Sequence, residues 1–258
     1  MTKARKIDLA VLIIYVLLLI PVLLLFKIGF SIATILFFVV PAVYLAFRGP
    51  LPWKRIAYAS LLFGFLLSQM DFLAEFNKAW VVPKIFFEQR IFGVIGIDVI
   101  AWGFLWAFVI LVFYEHFSEF DRSNKISRHF KILFFASLVT CAIILARFFL
   151  SPARLTMHYS YLFLGTVGFL VLLLVLVKFK KPYFLLRKFL PTAIFFTFLS
   201  IVHELTALKL GQWYFPGDYL AKINIGGLVF PAEELFFWIF LGSIIVMGYY
   251  EFFVDDEK

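Results

Sequence analysis

The sequence predicts an all-α polytopic membrane protein, a helix bundle of about eight transmembrane helices built as two parallel four-helix repeats. Three observations predict it. Of the 258 residues, 64% are apolar and 16% charged, and the mean hydropathy is +1.01, which leaves too little polar surface for a water-soluble domain. The apolar residues fall into runs of about 20, the length that crosses a bilayer. Rare residues also recur along the chain at a fixed interval, as in duplicated folds.

Taken in order, spans are expected at residues 7–26, 29–47, 56–75, 92–114, 132–150, 158–177, 189–208 and 228–250. Lys3, Arg5 and Lys6 precede the first run, which lacks a small-residue cleavage site at its end and so reads as a span. The net charge is +8, but the Lys and Arg residues sit at the ends of apolar runs, as membrane anchors do, so a nucleic-acid partner is not expected. The termini and the loops after the second, fourth and sixth spans hold 16 of the 24 basic residues. By the positive-inside rule both termini are then cytoplasmic.

Lys54-Arg55 recurs as Arg187-Lys188, Asp71 as Glu204, Trp80 as Trp213 and Pro83 as Pro216, each 133 residues later. Further on the interval is 136: Asp98 pairs with Glu234, Trp102 with Trp238, and Tyr114-Glu115 with Tyr250-Glu251. The chain therefore divides into a first repeat over 1–117 and a second over 118–258. Four spans per half is an even number, so both halves enter the membrane from the same side, and a substrate site is expected at their interface.

An acid at a span centre costs ~2.5–3.5 kcal/mol, and such residues usually face a bundle interior and serve a function. Asp71, Asp98, Glu204, Glu233 and Glu234 are the candidates, with His203 adjoining Glu204. Helical neighbours diverge by about 100°, so His203 and Glu204 cannot both face one point squarely, nor can Glu233 and Glu234. Glu75, Glu88, Glu115 and Asp218 read instead as span-end acids at headgroup level. Trp102 and Trp238 follow Asp98 and Glu234 by four residues, on one helix face, and an indole that keeps water from a carboxyl favours its neutral, proton-donating form. Pro231-Ala232-Glu233-Glu234 opens the last span, where proline is well tolerated.

Other chemistries find no footing. Cys141 is the one cysteine and lies in an apolar run, so neither a disulfide framework nor a cysteine metal cluster is expected. His116, His129, His158 and His203 are scattered without ligand spacing, so no metal site is expected. The chain has no Gly-x-Gly-x-x-Gly, so no flavin or nicotinamide bound in that way is expected.

Trp213-Tyr214-Phe215-Pro216-Gly217-Asp218-Tyr219-Leu220, then Gly227, Pro231-Ala232-Glu233-Glu234-Leu235-Phe236-Phe237 and Tyr250-Glu251, resembles the lycopene cyclase domain of the small integral-membrane carotenoid cyclases, the heterodimeric bacterial and fused archaeal and fungal type. The likeness covers about 40 residues of the second half. Where the family carries a second such motif, the first half has Ile95-Gly96-Ile97-Asp98, with one acid and no proline. The resemblance implies a prokaryotic cell membrane, a linear carotenoid substrate such as lycopene, and a cofactor-independent isomerisation of its end groups to β-ionone rings. A carboxylic acid protonates a terminal double bond, an internal double bond closes on the tertiary cation, and a carboxylate removes a proton.

On that reading Glu234 or Glu233 donates the proton, and Glu204 or Asp71 removes one or tunes the donor. Asp98 is the weaker counterpart. Trp80, Trp102, Trp213, Trp238, Phe236, Phe237 and His203 would line the substrate, since aromatic faces steady a cation by ~0.5–2 kcal/mol per ring. That gives a use to some of the 21% aromatic content, which includes 37 Phe. A hydratase that captures the same cation with water is the near alternative. A proton-coupled transporter and a non-catalytic carotenoid-binding protein are the alternatives of other classes, and a homo-oligomer is admitted by all of them.

Overall fold

The computed structural model describes residues 2–119, 123–178, 181 and 183–255. The chain is built of helices, with two short hairpins between them. We number them α1 (Lys3–Phe26), α2 (Phe30–Ala46), α3 (Trp53–Phe76), α4 (Ile97–Glu119), α5 (Phe130–Leu150), α6 (Ser160–Lys178) and α7 (Leu185–Leu210). The last, α8, comprises Glu234–Phe240 and Gly242–Val254, bent by 41°.

Among the described residues, six helices (α1 and α3 to α7) are long and apolar enough to cross a membrane, and α8 makes a seventh if its bent halves form one span. Helix α2 is shorter, and at 1.5 Å per residue reaches about 26 Å against a hydrocarbon core of about 30 Å. Eight full-length spans are therefore not what the helices provide. Two expected starts also shift. Residues 92–96 and 228–231, read as helix, lie in hairpins: Arg90–Ile91 (β1) pairs with Ile95–Gly96 (β2), and Lys222–Ile225 (β3) with Leu228–Pro231 (β4). A short apolar run does not distinguish strand from helix by its period. Here Gly226 and Gly227, at φ +58° and +88°, make the two-residue turn that closes β3 on β4.

Helices α3 and α4 form the most buried pair, while α5 is almost wholly exposed to the surroundings. Helix α1 buries one stripe, Asp8, Leu12, Val16, Leu19 and Leu23, at the spacing of a single helix face. Asp8 is held within the protein by the Arg48 guanidinium at 2.7 Å, the Tyr44 hydroxyl at 2.8 Å and the His116 ring at 3.0 Å.

Residues 133 apart meet directly. Val81 and Tyr214 form an antiparallel bridge, each backbone N–H donating to the other's carbonyl at 3.1 Å. The preceding pair, Trp80 and Trp213, lie with ring centroids 6.1 Å apart. At the other end of the helices, Arg55 contacts Glu115 at 2.8 Å and Asp255 at 2.9 Å, and Lys188 contacts Glu251 at 2.9 Å and Glu119 at 2.5 Å. Tyr114 donates to Glu251 at 2.5 Å, and Tyr250 donates to Glu115. Each cation thus joins an acid at the C-terminal end of α4 to one at the C-terminal end of α8. Glu115, expected at headgroup level, is buried inside this ring, and Glu75 is buried against Arg90 at 2.7 Å. Glu88 and Asp218 are exposed.

Candidate functional site

A small cavity of about 40 Å³ gathers Asp71 from α3, Glu204 and His203 from α7, and Glu234 from α8. Aromatic residues make most of the remaining wall: Trp102 and Trp106 from α4, Tyr161 from α6, Trp238 from α8, and Trp80 and Trp213 from the loops that follow α3 and α7. Because a water needs about 10–15 Å³ of such space, this cage admits a few waters or the tip of a chain. Among the described residues, no Lys or Arg lines it.

The aromatic groups contact one another around it. Trp80 lies 5.8 Å from Trp102, which stacks on Trp106 at 5.9 Å. Tyr161 lies 5.4 Å from Trp238. The His203 ring stands 4.5 Å from Phe37 and 5.1 Å from Trp213, centroid to centroid.

Polar groups in the cage are under-satisfied. Trp213 Nε1 donates to Glu204 Oε1 at 3.0 Å. By contrast Asp71 Oδ2, Glu234 Oε2, His203 Nε2 and the Nε1 atoms of Trp102 and Trp238 are buried without a hydrogen-bond partner. Buried polar atoms are paired in the great majority of cases, so five orphans around one small cavity mark a place built to hold something. Glu234 lies near both Asp71 and Glu204.

Helix α8 starts with a wide turn, Glu234–Phe240, bonded i to i+5. Four other wide turns occur among the described residues, at Ile35–Val39, Glu115–Glu119, Leu185–Phe189 and Tyr250–Val254. This one sets Glu234 and Trp238 on the cage wall while Glu233 turns away. Glu233 Oε1 accepts the Leu220 N–H at 2.6 Å, outside the cage. Asp98, expected at the site through its pairing with Glu234, is also outside. Its Oδ2 accepts from Ser31 Oγ at 2.7 Å and from the N–H groups of Phe86 and Phe87, so it pins the loop before β1. Phe236 is exposed, and Phe237 packs on Gly165. Neither lines the cage.

Five wall residues escaped the sequence reading: Leu67, Trp106, Tyr161, Ser200 and Ile239. Trp106 continues the i, i+4 series of Asp98 and Trp102 and could have been found by extending it. Tyr161, beside Glu234, and Ser200 carry no signal in the repeat.

The two Trp loops roof the cage. Tyr219 donates to the carbonyl of Ala79, and a Cβ on Gly217 would fall 2.8 Å from Ala79 Cα. We expect Gly217→Val to force these loops apart and destabilise the protein by about 1–3 kcal/mol, read as a lower melting temperature in detergent. Burial pushes the Tyr219 phenol above its ordinary value of 10. A raised folded-state value means that its contribution is complete below pH 10 and is lost as the pH rises through the raised value. Tyr219→Phe should accordingly flatten the alkaline limb of the melting profile and leave the neutral region parallel to the parent.

Beside the cage lies a larger apolar cavity of about 420 Å³ between α3, α5, α6 and α8, which shares Leu67, Trp106 and Trp238 with it. At the far end of the helices, Glu119, Glu251 and Asp255 bring carboxylate oxygens within 4.8 Å of one another, the one such group among the described residues. Lys188 and Arg55 already sit among them.

Compared with known proteins, the chain matches no family model, no curated protein and no solved structure.

Proposed function

We propose that the cage is the acid–base site of a membrane enzyme that isomerises a linear polyene such as lycopene, protonating an end group and closing it to a ring. The observation that carries this reading is the set of three carboxyls and five unpartnered polar atoms inside a wall of Trp and Tyr rings, next to a cavity lined by apolar side chains. Protonating an alkene needs an acid shielded from water, and the resulting cation needs neighbours that stabilise it without bonding to it.

Glu234 is the donor in this scheme, because it lines the cage while Glu233, whose Oε1 accepts the Leu220 N–H, does not. Its proton adds to the terminal double bond, leaving a tertiary cation. The electron pair of an internal double bond closes the six-membered ring, and Glu204 or Asp71 takes the proton that fixes the new alkene. One proton enters and one leaves, so no redox partner is required. Trp213 holds Glu204 through its Nε1–H, which fixes that carboxyl toward the ring as it forms.

In the same proposal the chain is two parallel repeats, 1–117 and 118–258, with α2 and α8 completing eight spans and both termini cytoplasmic. The bridge between Val81 and Tyr214 and the crossed contacts of Arg55 and Lys188 support it, because a two-fold axis through the bundle brings repeat-related residues together. The enzyme then sits in the bilayer with the cage toward the non-cytoplasmic side.

The size of the cage favours one alternative outcome, because a space for a few waters also allows capture of the cation by water. Pigment chromatography after expression in lycopene-accumulating cells separates the two. Ring products identify a cyclase and a tertiary alcohol a hydratase; unchanged lycopene, with the protein present in the membrane, overturns both.

A further inference from the structure

We infer that the large cavity between α3, α5, α6 and α8 is the chamber that binds the chain of the ligand, that it is entered sideways from the bilayer, and that it is built for an isoprenoid or polyene chain bearing a hydroxyl group. Size is the first argument. The cage holds about 40 Å³ and cannot take a long chain, whereas the chamber, at about 420 Å³, falls in the ~300–1,000 Å³ range of ligand sites. The two share Leu67, Trp106 and Trp238, so a chain in the chamber can present its end to the acids across a wall of three side chains.

The second argument is the mouth. Ala136 and Thr140 of α5 and Phe163, Val167 and Val171 of α6 line the chamber and are also exposed on the outer face of the bundle. In a bilayer that face meets hydrocarbon. A ligand already dissolved there enters without crossing water.

The third argument is polar. Gln69 on α3 and Ser137 on α5 line the chamber, are 7% and 1% exposed, and leave Gln69 Oε1 and Ser137 Oγ without a hydrogen-bond partner. A hydrocarbon leaves both orphaned, at a cost. A ligand hydroxyl can donate to the amide oxygen, or donate to or accept from the serine. This points to an oxygenated chain as the preferred occupant, with the bare hydrocarbon bound more weakly. The word substrate for that occupant rests on the acid–base reading of the cage, but occupancy can be measured without turnover.

The test uses the full-length Glu234→Gln protein in lipid nanodiscs, with all-trans-retinol and its methyl ether as matched polyene probes, read by quenching of Trp fluorescence. Retinol should bind about two- to tenfold more tightly than the ether, the worth of one hydrogen bond. Gln69→Leu with Ser137→Ala should erase that difference and leave binding of the ether intact. Gly168→Phe should abolish binding of both, because its Cβ meets only Ile245 at an ordinary 3.7 Å and the ring then fills the chamber. Should that variant fail to fold, Ala136→Trp at the exposed mouth serves the same purpose. Undiminished binding with the chamber filled, or equal affinity of the two probes for the parent, overturns the inference. If the parent protein forms no product from lycopene while probe binding is intact, the acid chemistry alone is overturned.

Discussion

Glu234→Gln is expected to give a folded protein that turns over its polyene about 10²–10⁴-fold more slowly, the usual contribution of a positioned general acid. Glutamine has the same shape, so the aromatic wall of Trp238 and Tyr161 has no reason to move. What disappears is the acidic proton of the carboxyl that lines the cage. Glu233→Gln is the control, with turnover within a fewfold of the parent, because Glu233 serves the Leu220 N–H and not the cage. Glu204→Gln should also lower turnover while keeping its contact with Trp213, whose indole N–H can donate to an amide oxygen as well. Product chromatography alongside a melting curve checks all three. Full turnover in Glu234→Gln would sink the assignment of its role.

Arg55→Met is expected to be the most damaging single change away from the cage, at about 3–5 kcal/mol. Its guanidinium is fully buried and meets Glu115, Asp255 and the Tyr250 hydroxyl together. Removing one partner of a buried ion pair leaves the others charged and unsolvated, and costs that amount. Lys188 makes the equivalent crossed contacts with its side chain 22% exposed, so water can replace some of what Lys188→Met removes, and the loss should be smaller. Adding Glu115→Gln to Arg55→Met should recover part of the stability, since one uncompensated charge goes with its partner. Thermal melts in detergent read all of these. A melt of Arg55→Met coincident with the parent would mean that the ring does not hold the two halves of the chain together. The identity of any product should be unchanged across this series, because none of these groups reaches the cage.

Particular residues show why some of the site was legible. Acids and Trp residues recurring at 133 and 136 picked out Asp71, Glu204, Glu234, Trp80, Trp102, Trp213 and Trp238, and the structure places all seven around one cavity. Asp98 recurs at the same interval and lies elsewhere, because Ser31 and the N–H groups of the loop before β1 surround its carboxylate. No interval in a sequence reports such local donors. Glu115 and Glu75 fall near the ends of apolar runs and read as solvated, yet Arg55 and Arg90 reach across to bury them. Tyr161 has no repeat-related counterpart of its own type to draw attention to it. Residues 92–96 and 228–231 read as helix because Phe92, Val94 and Ile95, like Leu228, Val229 and Phe230, are apolar whichever way the backbone turns.

The mean hydropathy of +1.01 and the spacing of the apolar runs were enough to predict helices long and apolar enough to cross a membrane, since hydrocarbon leaves an apolar chain no better way to pair its backbone than within each helix. They also set where each acid falls along its helix, because that position follows from counting at 1.5 Å per residue. They could not set its azimuth or its neighbours. Which of Glu233 and Glu234 looks into the cage, whether Asp98 joins it, and whether a chamber adjoins it depend on a wide turn in α8, a loop folded over α4 and the packing of α5 and α6. Each of these is a balance among many small contacts between segments distant in the chain, and it exists only once the helices have met.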